Sequence, residues 1–352
     1  MDTIEKTVAR IARADGAAME AALARHAKLT KPQGSLGALE EVAVRLAGMQ
    51  GRVDPRVEIG AVFVMSADHG VCAEGVSAYP AEVTAQMVMN FAAGGAAINA
   101  IAACAGAWVV IADMGVSSEL PEGLAIHRRK IAFGTRNMAV VPAMTRVEAL
   151  RSIASGIEVF EEEYAISSFS IAGIGDMGIG NTRAAAAMAS VFTGEAPEAL
   201  TGRGTGIDDE AFNRKLAVIE RALALHRPQA RDPVGVMAGV GGFEIGAMAG
   251  VILAAASHRI PLVLDGYISG AAALLAAGIC PLSKDYMIAG HLSADRGHGL
   301  MLSALGLKPL LDLGMRLGEG TGAALAMMLC RAACAALNDM ATFESAGVGE
   351  KL

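Results

Sequence analysis

The chain has 352 residues, enough for one large core or a core with a smaller appendage. Hydrophobic residues make up 53%, charged ones only 18%, and 42 are glycine, which excludes disorder and suits a compact α/β enzyme. A net charge of −7 and 4% aromatic residues supply neither a basic footprint nor a stacking platform, so no nucleic-acid partner is expected.

The N-terminus, Met1-Asp2-Thr3-Ile4-Glu5-Lys6, lacks a signal-peptide pattern. Apolar residues at helical spacing predict helices over Thr3–Ala14 and Ala17–Ala27. Lys31-Pro32-Gln33-Gly34-Ser35 reads as a turn, with Ser35 as the cap of a further helix. Strands and helices then alternate. Strands are predicted at Ala61–Ser66, Trp108–Ala112, Ser168–Ala172, Val234–Ala238, Leu262–Leu264 and Tyr286–Ala289. Helices are predicted at Glu82–Ala103, Arg146–Tyr164, Asp208–Ala224, Phe243–Ser257, Tyr267–Ala277 and Gly322–Leu337. Such alternation implies an α/β, Rossmann-like parallel sheet with helices on both faces. The expected division is a small helical part over 1–55, the Rossmann-like domain over 56–320, and a C-terminal helix over 321–352. That last helix would pack on the small part or at a dimer interface.

The best apolar run, Ile245–Ala256, falls short of the roughly 20 residues of a membrane span, so no membrane partner is expected. The basic run Arg128-Arg129-Lys130 reads as a solvated face. Five cysteines, at 72, 104, 280, 330 and 334, sit among apolar or small residues. They read as buried free thiols in a reducing, cytoplasmic compartment rather than as metal ligands.

Most predicted strands end in polar or glycine-rich residues: Asp68-His69-Gly70, Asp113, Gly173–Thr182, Gly239–Glu244, Asp265-Gly266 and Gly290-His291. Ligands of open α/β sheets bind beyond the carboxyl ends of the strands. The segment Gly173-Ile174-Gly175-Asp176-Met177-Gly178 carries the letters of a dinucleotide fingerprint. Asp176 would repel a pyrophosphate there. Glu195 has the spacing of a ribose acid, but it follows a helical pattern rather than a strand. Capture of a single phosphate near a helix N-terminus fits better. A tight strand-to-helix turn without a ligand stays open.

A second glycine loop, Thr201–Asp209, leads into a helix carrying Lys215, a candidate point charge for phosphate. Its Asp208-Asp209 pair is either a ribose-binding acidic pair or a helix cap with its first turn. In a third loop, Gly318-Glu319-Gly320-Thr321-Gly322, flanking glycines let a ligand approach Glu319, as a general base requires. A surface acid at a helix start is the plainer reading. Asp68-His69 lacks a third metal ligand and reads as a hydrogen-bonded turn. No G-x-S-x-G elbow is present.

Taken in order, these segments resemble the nicotinate-nucleotide:dimethylbenzimidazole phosphoribosyltransferases of cobalamin nucleotide-loop assembly. The resemblance rests on Lys31-Pro-Gln-Gly-Ser-Leu-Gly37, Ser66-Ala-Asp-His-Gly-Val71, Glu82-Val-Thr-Ala-Gln-Met87, Gly94-Gly-Ala-Ala-Ile98 and Gly134-Thr-Arg-Asn137. It continues through Pro142-Ala-Met-Thr145, Gly173–Thr182, Gly202-Arg-Gly-Thr-Gly206, Gly241-Gly-Phe-Glu-Ile245, Asp265-Gly266 and Gly318–Gly322. It implies a homodimer that moves 5-phosphoribose from nicotinate mononucleotide to a benzimidazole nitrogen, giving α-ribazole 5′-phosphate and nicotinate without a cofactor. By the same resemblance Glu319 is the catalytic base, and Asp176, where Glu is usual, is a second acid near the ribose. Gly178, Gly180, Asn181, Gly202, Gly204 and Lys215 would hold phosphate and ribose. Tyr79, Gln86, Met87 and Leu317 would enclose the base. Arg183 stands where a second Thr is common.

Overall fold

The computed structural model describes residues 2–75, 79–202 and 209–349. Six parallel strands form one sheet: β1 (Gly60–Ala67), β2 (Ala107–Gly115), β3 (His127–Arg128), β4 (Ile171–Met177), β5 (Leu262–Leu264) and β6 (Met287–Ala289). Their order is β3-β2-β1-β4-β5-β6. Every residue of β1 is buried, as expected of a central strand covered on both faces. The direction of winding reverses between β1 and β4, so a crevice opens there at the carboxyl edge.

One face carries the helix Phe243–Ser257 across β1, β2, β4 and β5, flanked by Arg146–Ile166 and Tyr267–Ile279. The other carries Thr321–Asp339 against β1, β4 and β5, with Glu82–Ala92 and Ala97–Cys104 beside it. Behind Thr321–Asp339 lie Gly16–His26 and Ala38–Gln50, whereas Asp2–Ala9 packs on the opposite face against Arg146–Ile166 and Phe243–Ser257. Among the described residues the hydrophobic core is one cluster running from Ile4 to Leu337.

The structure departs from the sequence reading in several places. Val234–Ala238 is not a strand but part of the helix Pro233–Val240. Pro233 supplies its first position, and the Asp232 carboxylate accepts from Gly235 N–H. Gly241-Gly242 is therefore a helix-to-helix turn, and the rest of Gly239–Glu244 belongs to the two helices. The long helix from Glu82 breaks at Gly94 (φ +77°) into two. Gly37, not Ser35, precedes the helix Ala38–Gln50, and the first helix stops at Ala9. The two-residue β3 escapes the strand pattern because it is too short to show one. Cys104 is exposed and Cys72 half-buried, while Cys280, Cys330 and Cys334 are buried, and all five are free. Lys130 is not solvated: it pairs with Asp113 at 3.2 Å and donates to Val116 and Ser118 carbonyls. Thr321–Asp339 and the stretch Glu82–Cys104 are apolar enough, by length and composition, to cross a membrane. The former buries Ala323, Met327, Cys330 and Leu337 in the core, and the latter is two helices.

Small residues let the two longest helices of the first face touch. A Cβ on Gly156 would lie 2.0 Å from the Ala247 carbonyl oxygen. One on Gly250 would lie 2.1 Å from that of Ile153, and one on Gly246 2.2 Å from Ser152 Oγ. The first two are contacts with backbone that no rotamer change can relieve. Gly250→Ala should therefore destabilise the fold by about 1–3 kcal/mol through overpacking. Chemical denaturation would read this as a lower midpoint, and an unchanged midpoint would show that the helices can separate freely.

Candidate active site

Acidic side chains gather beyond the strand ends. Asp265 follows β5 and is buried. Its Oδ1 accepts from the N–H groups of Gly322 (2.6 Å) and Ala323 (3.2 Å), and its Oδ2 accepts from Gly320 N–H (3.1 Å). It thus satisfies free donors at the start of the helix Thr321–Asp339. Burial pushes its carboxyl up to about 7, against the pull of those N–H groups and with the Glu319 charge adding to the rise. His291, after β6, places Nε2 3.6 Å from Asp265 Oδ1, and burial lowers its pKa.

The helix held by Asp265 presents Gly318-Glu319-Gly320, three successive residues with φ of +85°, +64° and +90°. Left-handed backbone costs a non-glycine residue about 1–2 kcal/mol. Glu319 stays there because Gly175 leaves room: a Cβ on Gly175 would sit 2.2 Å from Gly320 N and 2.3 Å from Glu319 C. Gly173 likewise clears space for Met327, whose Cε would lie 2.8 Å from a Cβ. Both glycines are in β4, so the first half of the fingerprint is strand rather than phosphate loop. The Glu319 carboxylate is buried and accepts from Ile98 N–H (3.3 Å) at the start of the helix Ala97–Cys104. Burial raises its pKa, while the N–H opposes the rise.

Asp176 lies near the end of β4 in a buried position and accepts from Asn181 Nδ2 (2.8 Å). Burial raises its carboxyl well above the usual range, and the nearby charges of Asp265, Glu244 and Glu319 raise it further. Glu244 is wholly buried and meets His69 Nε2 at 2.7 Å, leaving its Oε2 without a partner among the described residues. Asp68 forms the hydrogen-bonded strand end read from the sequence. It accepts from Thr84 Oγ1 (2.6 Å) and Ser117 N–H (2.7 Å). Among the described residues no group of His, Cys, Asp and Glu could hold a metal ion.

A cleft of about 330 Å³ opens over the ends of β4, β5 and β6. Gly178 and Gly180 form its turn. Gly178 lies against the Ala67 carbonyl, and Gly180 (φ +99°) lies against Cys72 and His69. The helix Asn181–Thr193 begins there with no side-chain cap. Two buried cations, Arg183 and Lys215, enter the same cleft. Burial lowers Lys215 to about 8, with the Arg183 charge lowering it further and Asp295 opposing.

The structure thus brings Asp176, Gly178, Gly180, Asn181, Lys215, Tyr79 and Leu317 to one cleft. Gly202 joins through its carbonyl, which accepts from Lys215 Nζ (3.0 Å). Tyr79 and Leu317 are exposed at the rim. Glu319, Gln86 and Met87 do not line this cleft. Gln86 is exposed and Met87 half-buried, both on the helix Glu82–Ala92. Gly204 and Asp208 lie outside the described residues. Sequence reasoning passes over Arg183, Asp295 and Arg316 as cleft residues, and nothing in their local pattern marks them. A larger cavity of about 680 Å³, between Arg45, Lys284 and Leu310, lies away from the acids.

A family model described as a phosphoribosyltransferase matches residues 11–348. The nicotinate-nucleotide–dimethylbenzimidazole phosphoribosyltransferase of Desulforudis audaxviator is 55% identical over 99% of both chains. That of Chloroflexus aggregans is 54% identical over 100% of this chain and 99% of its own. The crystal structure of the enzyme of that name from Thermus thermophilus superimposes with a TM-score of 0.91 at 49% identity. It covers 96% of this chain and 100% of the other. The family match, the full-length identity and the shared fold agree, and the chain belongs to this phosphoribosyltransferase family.

Proposed function

We propose that the chain transfers 5-phosphoribose from nicotinate mononucleotide to 5,6-dimethylbenzimidazole or a related base, giving α-ribazole 5′-phosphate and nicotinate. The observation that carries this reading is the opposed charge along the carboxyl edge. Arg183 and Lys215 stand by the Gly178–Asn181 turn, and the buried acid Asp176 beside it feels the charges of Asp265, Glu244 and Glu319. A nucleotide donor with a pyridinium leaving group has the same polarity: an anionic phosphate at one end and a cation at the reacting carbon.

In this reading one benzimidazole nitrogen attacks the anomeric carbon as the bond to the pyridinium nitrogen breaks. The bonding pair returns to the pyridine ring, which leaves as nicotinate without needing a proton. Attack from the opposite face turns a β-linked donor into an α-linked product. The base becomes cationic on attack, its N–H becomes acidic, and Glu319 takes that proton. Asp176 titrates high, and a cation at the sugar favours its ionised form, which would stabilise oxocarbenium character at the ribose. Gly178, Gly180, Asn181, Gly202 and Lys215 would hold the phosphate and ribose, with Gly204 from the undescribed stretch.

The bond from Ile98 N–H turns Glu319 toward the junction of the helices Glu82–Ala92 and Ala97–Cys104. The base subsite is accordingly read on that side of the 317–320 loop, with Tyr79, Gln86, Met87 and Leu317 around it. Exposed Tyr79 and Leu317 at its rim are consistent with a homodimer that covers them. Of the helices within 1–55, Gly16–His26 and Ala38–Gln50, packed behind the C-terminal helix, would form the small part flanking the main domain, and Asp2–Ala9, on the other face, would not belong to it. Five free cysteines accord with work in the cytoplasm.

Glu319→Gln should lower turnover roughly 10²–10⁴-fold while leaving the nucleotide's dissociation constant within a few-fold. Single-turnover product formation and equilibrium binding would check this, and full turnover in the variant removes Glu319 as the base. The pH profile gives a second test. Lys215 carries its charge below about 8 and loses it above. The donor phosphate becomes a dianion above about 6. kcat/KM for the nucleotide should therefore be highest between these limits and fall about tenfold per unit on the alkaline side. Lys215→Arg, charged throughout, should abolish that alkaline break, and a break that persists assigns it to another group.

A further inference from the structure

We propose that Arg183 reads the phosphoryl group of the donor directly, as a second cation beside Lys215, and so selects phosphorylated donors. The assignment rests on the transferase reading for the donor's identity, but its geometry stands apart from it.

Arg183 is 4% exposed, yet its Nε has no partner, and among the described residues no carboxylate or carbonyl receives its guanidinium. Other partly buried arginines of this fold are tied to backbone. Arg45 donates to the Met287 carbonyl (2.5 Å), Arg259 to Met49 (3.1 Å) and Gly48 (3.2 Å), and Arg331 to Val57 (3.1 Å) and Glu58 (2.9 Å). An arginine kept for structure behaves as those do. A buried guanidinium with idle donors is costly unless something anionic meets it.

Its position sharpens the case. Arg183 lies in the first turn of the helix Asn181–Thr193, where a cation opposes the helix dipole and an anion is welcome. It shares the cleft with Lys215, whose charged form it disfavours. Burial also lowers the Arg183 pKa to about 10. Lys215 has Asp295 as a nearby opposing charge, whereas no carboxylate contributes in that way to Arg183. A phosphate dianion between them would relieve both. The planar fork of Arg183 offers two parallel N–H donors to two phosphate oxygens, and Lys215 offers a point charge to the group.

The test is calorimetric titration of the full chain with inorganic phosphate at neutral pH, for wild type, Arg183→Ala and Arg183→Lys. Arg183→Ala should weaken phosphate binding at least about tenfold, and Arg183→Lys by less, because lysine keeps the charge and loses the fork. In the transferase assay, KM for nicotinate mononucleotide should rise in the same order, with kcat moved much less. Arg183→Lys carries the test alone if Arg183→Ala does not fold. Phosphate binding equal in variant and wild type, or no binding by wild type, overturns the assignment. A parallel fall of kcat with both substrates, unrescued by lysine, also overturns it, because that marks a structural role. Phosphate held through Arg183 by a chain that makes no product with any benzimidazole would sink the transferase reading and leave this one standing.

Discussion

Asp265 is where fold and chemistry meet. A three-residue strand delivers it to the sheet edge, and its two oxygens engage Gly320, Gly322 and Ala323 at once. Those contacts fix the first turn of Thr321–Asp339, a helix that also covers β1, β4 and β5. The same contacts hold the left-handed run Gly318-Glu319-Gly320 against β4. Each hydrogen bond from a backbone N–H to a charged acceptor is worth about 1.5–3 kcal/mol. That is on the scale needed to offset the strained φ at Glu319 and the burial of a carboxylate. Burial still wins the titration, since the group sits at about 7. A carboxyl poised so near neutrality responds to whatever charge arrives beside it.

The acids around Asp265 follow the same logic. Each has a local reason to survive burial: Asp68 accepts two hydrogen bonds, Asp176 one from Asn181, Glu319 one from Ile98, and Glu244 meets His69. Among the described residues, Asp113 alone of the acids at this edge pairs with a lysine or arginine. Satisfied by dipoles rather than by cations, such a cluster disfavours ionisation of Asp176 and Asp265 until a positive charge arrives beside them. This is the arrangement expected where positive charge must develop on a substrate. A salt-bridged cluster would be more stable alone and less useful.

Much of this architecture is legible in the chain. Leu262–Leu264 and Phe243–Ser257 have the bounds read from the pattern, the second because an apolar run of 15 residues is too long for a strand. The failures are equally physical. Val234–Ala238 is apolar and β-branched enough to pass as strand, and only the Asp232-Pro233 start betrays the helix. Asp176 and Glu319 can be named from their glycine settings. Asp265 is visible only as a polar strand end, since its three partners lie more than fifty residues away. Arg183 is invisible as a cleft cation because helical spacing does not tell which side of a first turn faces a ligand.

The glycines of the 173–180 segment separate two demands that a motif conflates. Gly173 and Gly175 are strand residues whose missing side chains admit Met327 and the backbone of Glu319. Gly178 and Gly180 turn the chain under Ala67 and Cys72 and start the next helix at the cleft. Between them stands Asp176, and three residues past the turn stands Arg183. On the proposed reading, one strand-turn-helix unit would supply an acid for the sugar end, backbone for the phosphate and a cation behind it. A ligand bridging Asp176 and Arg183 must carry an anion at one end and a cation at the other, as a phosphoribosyl group bearing a cationic leaving group does.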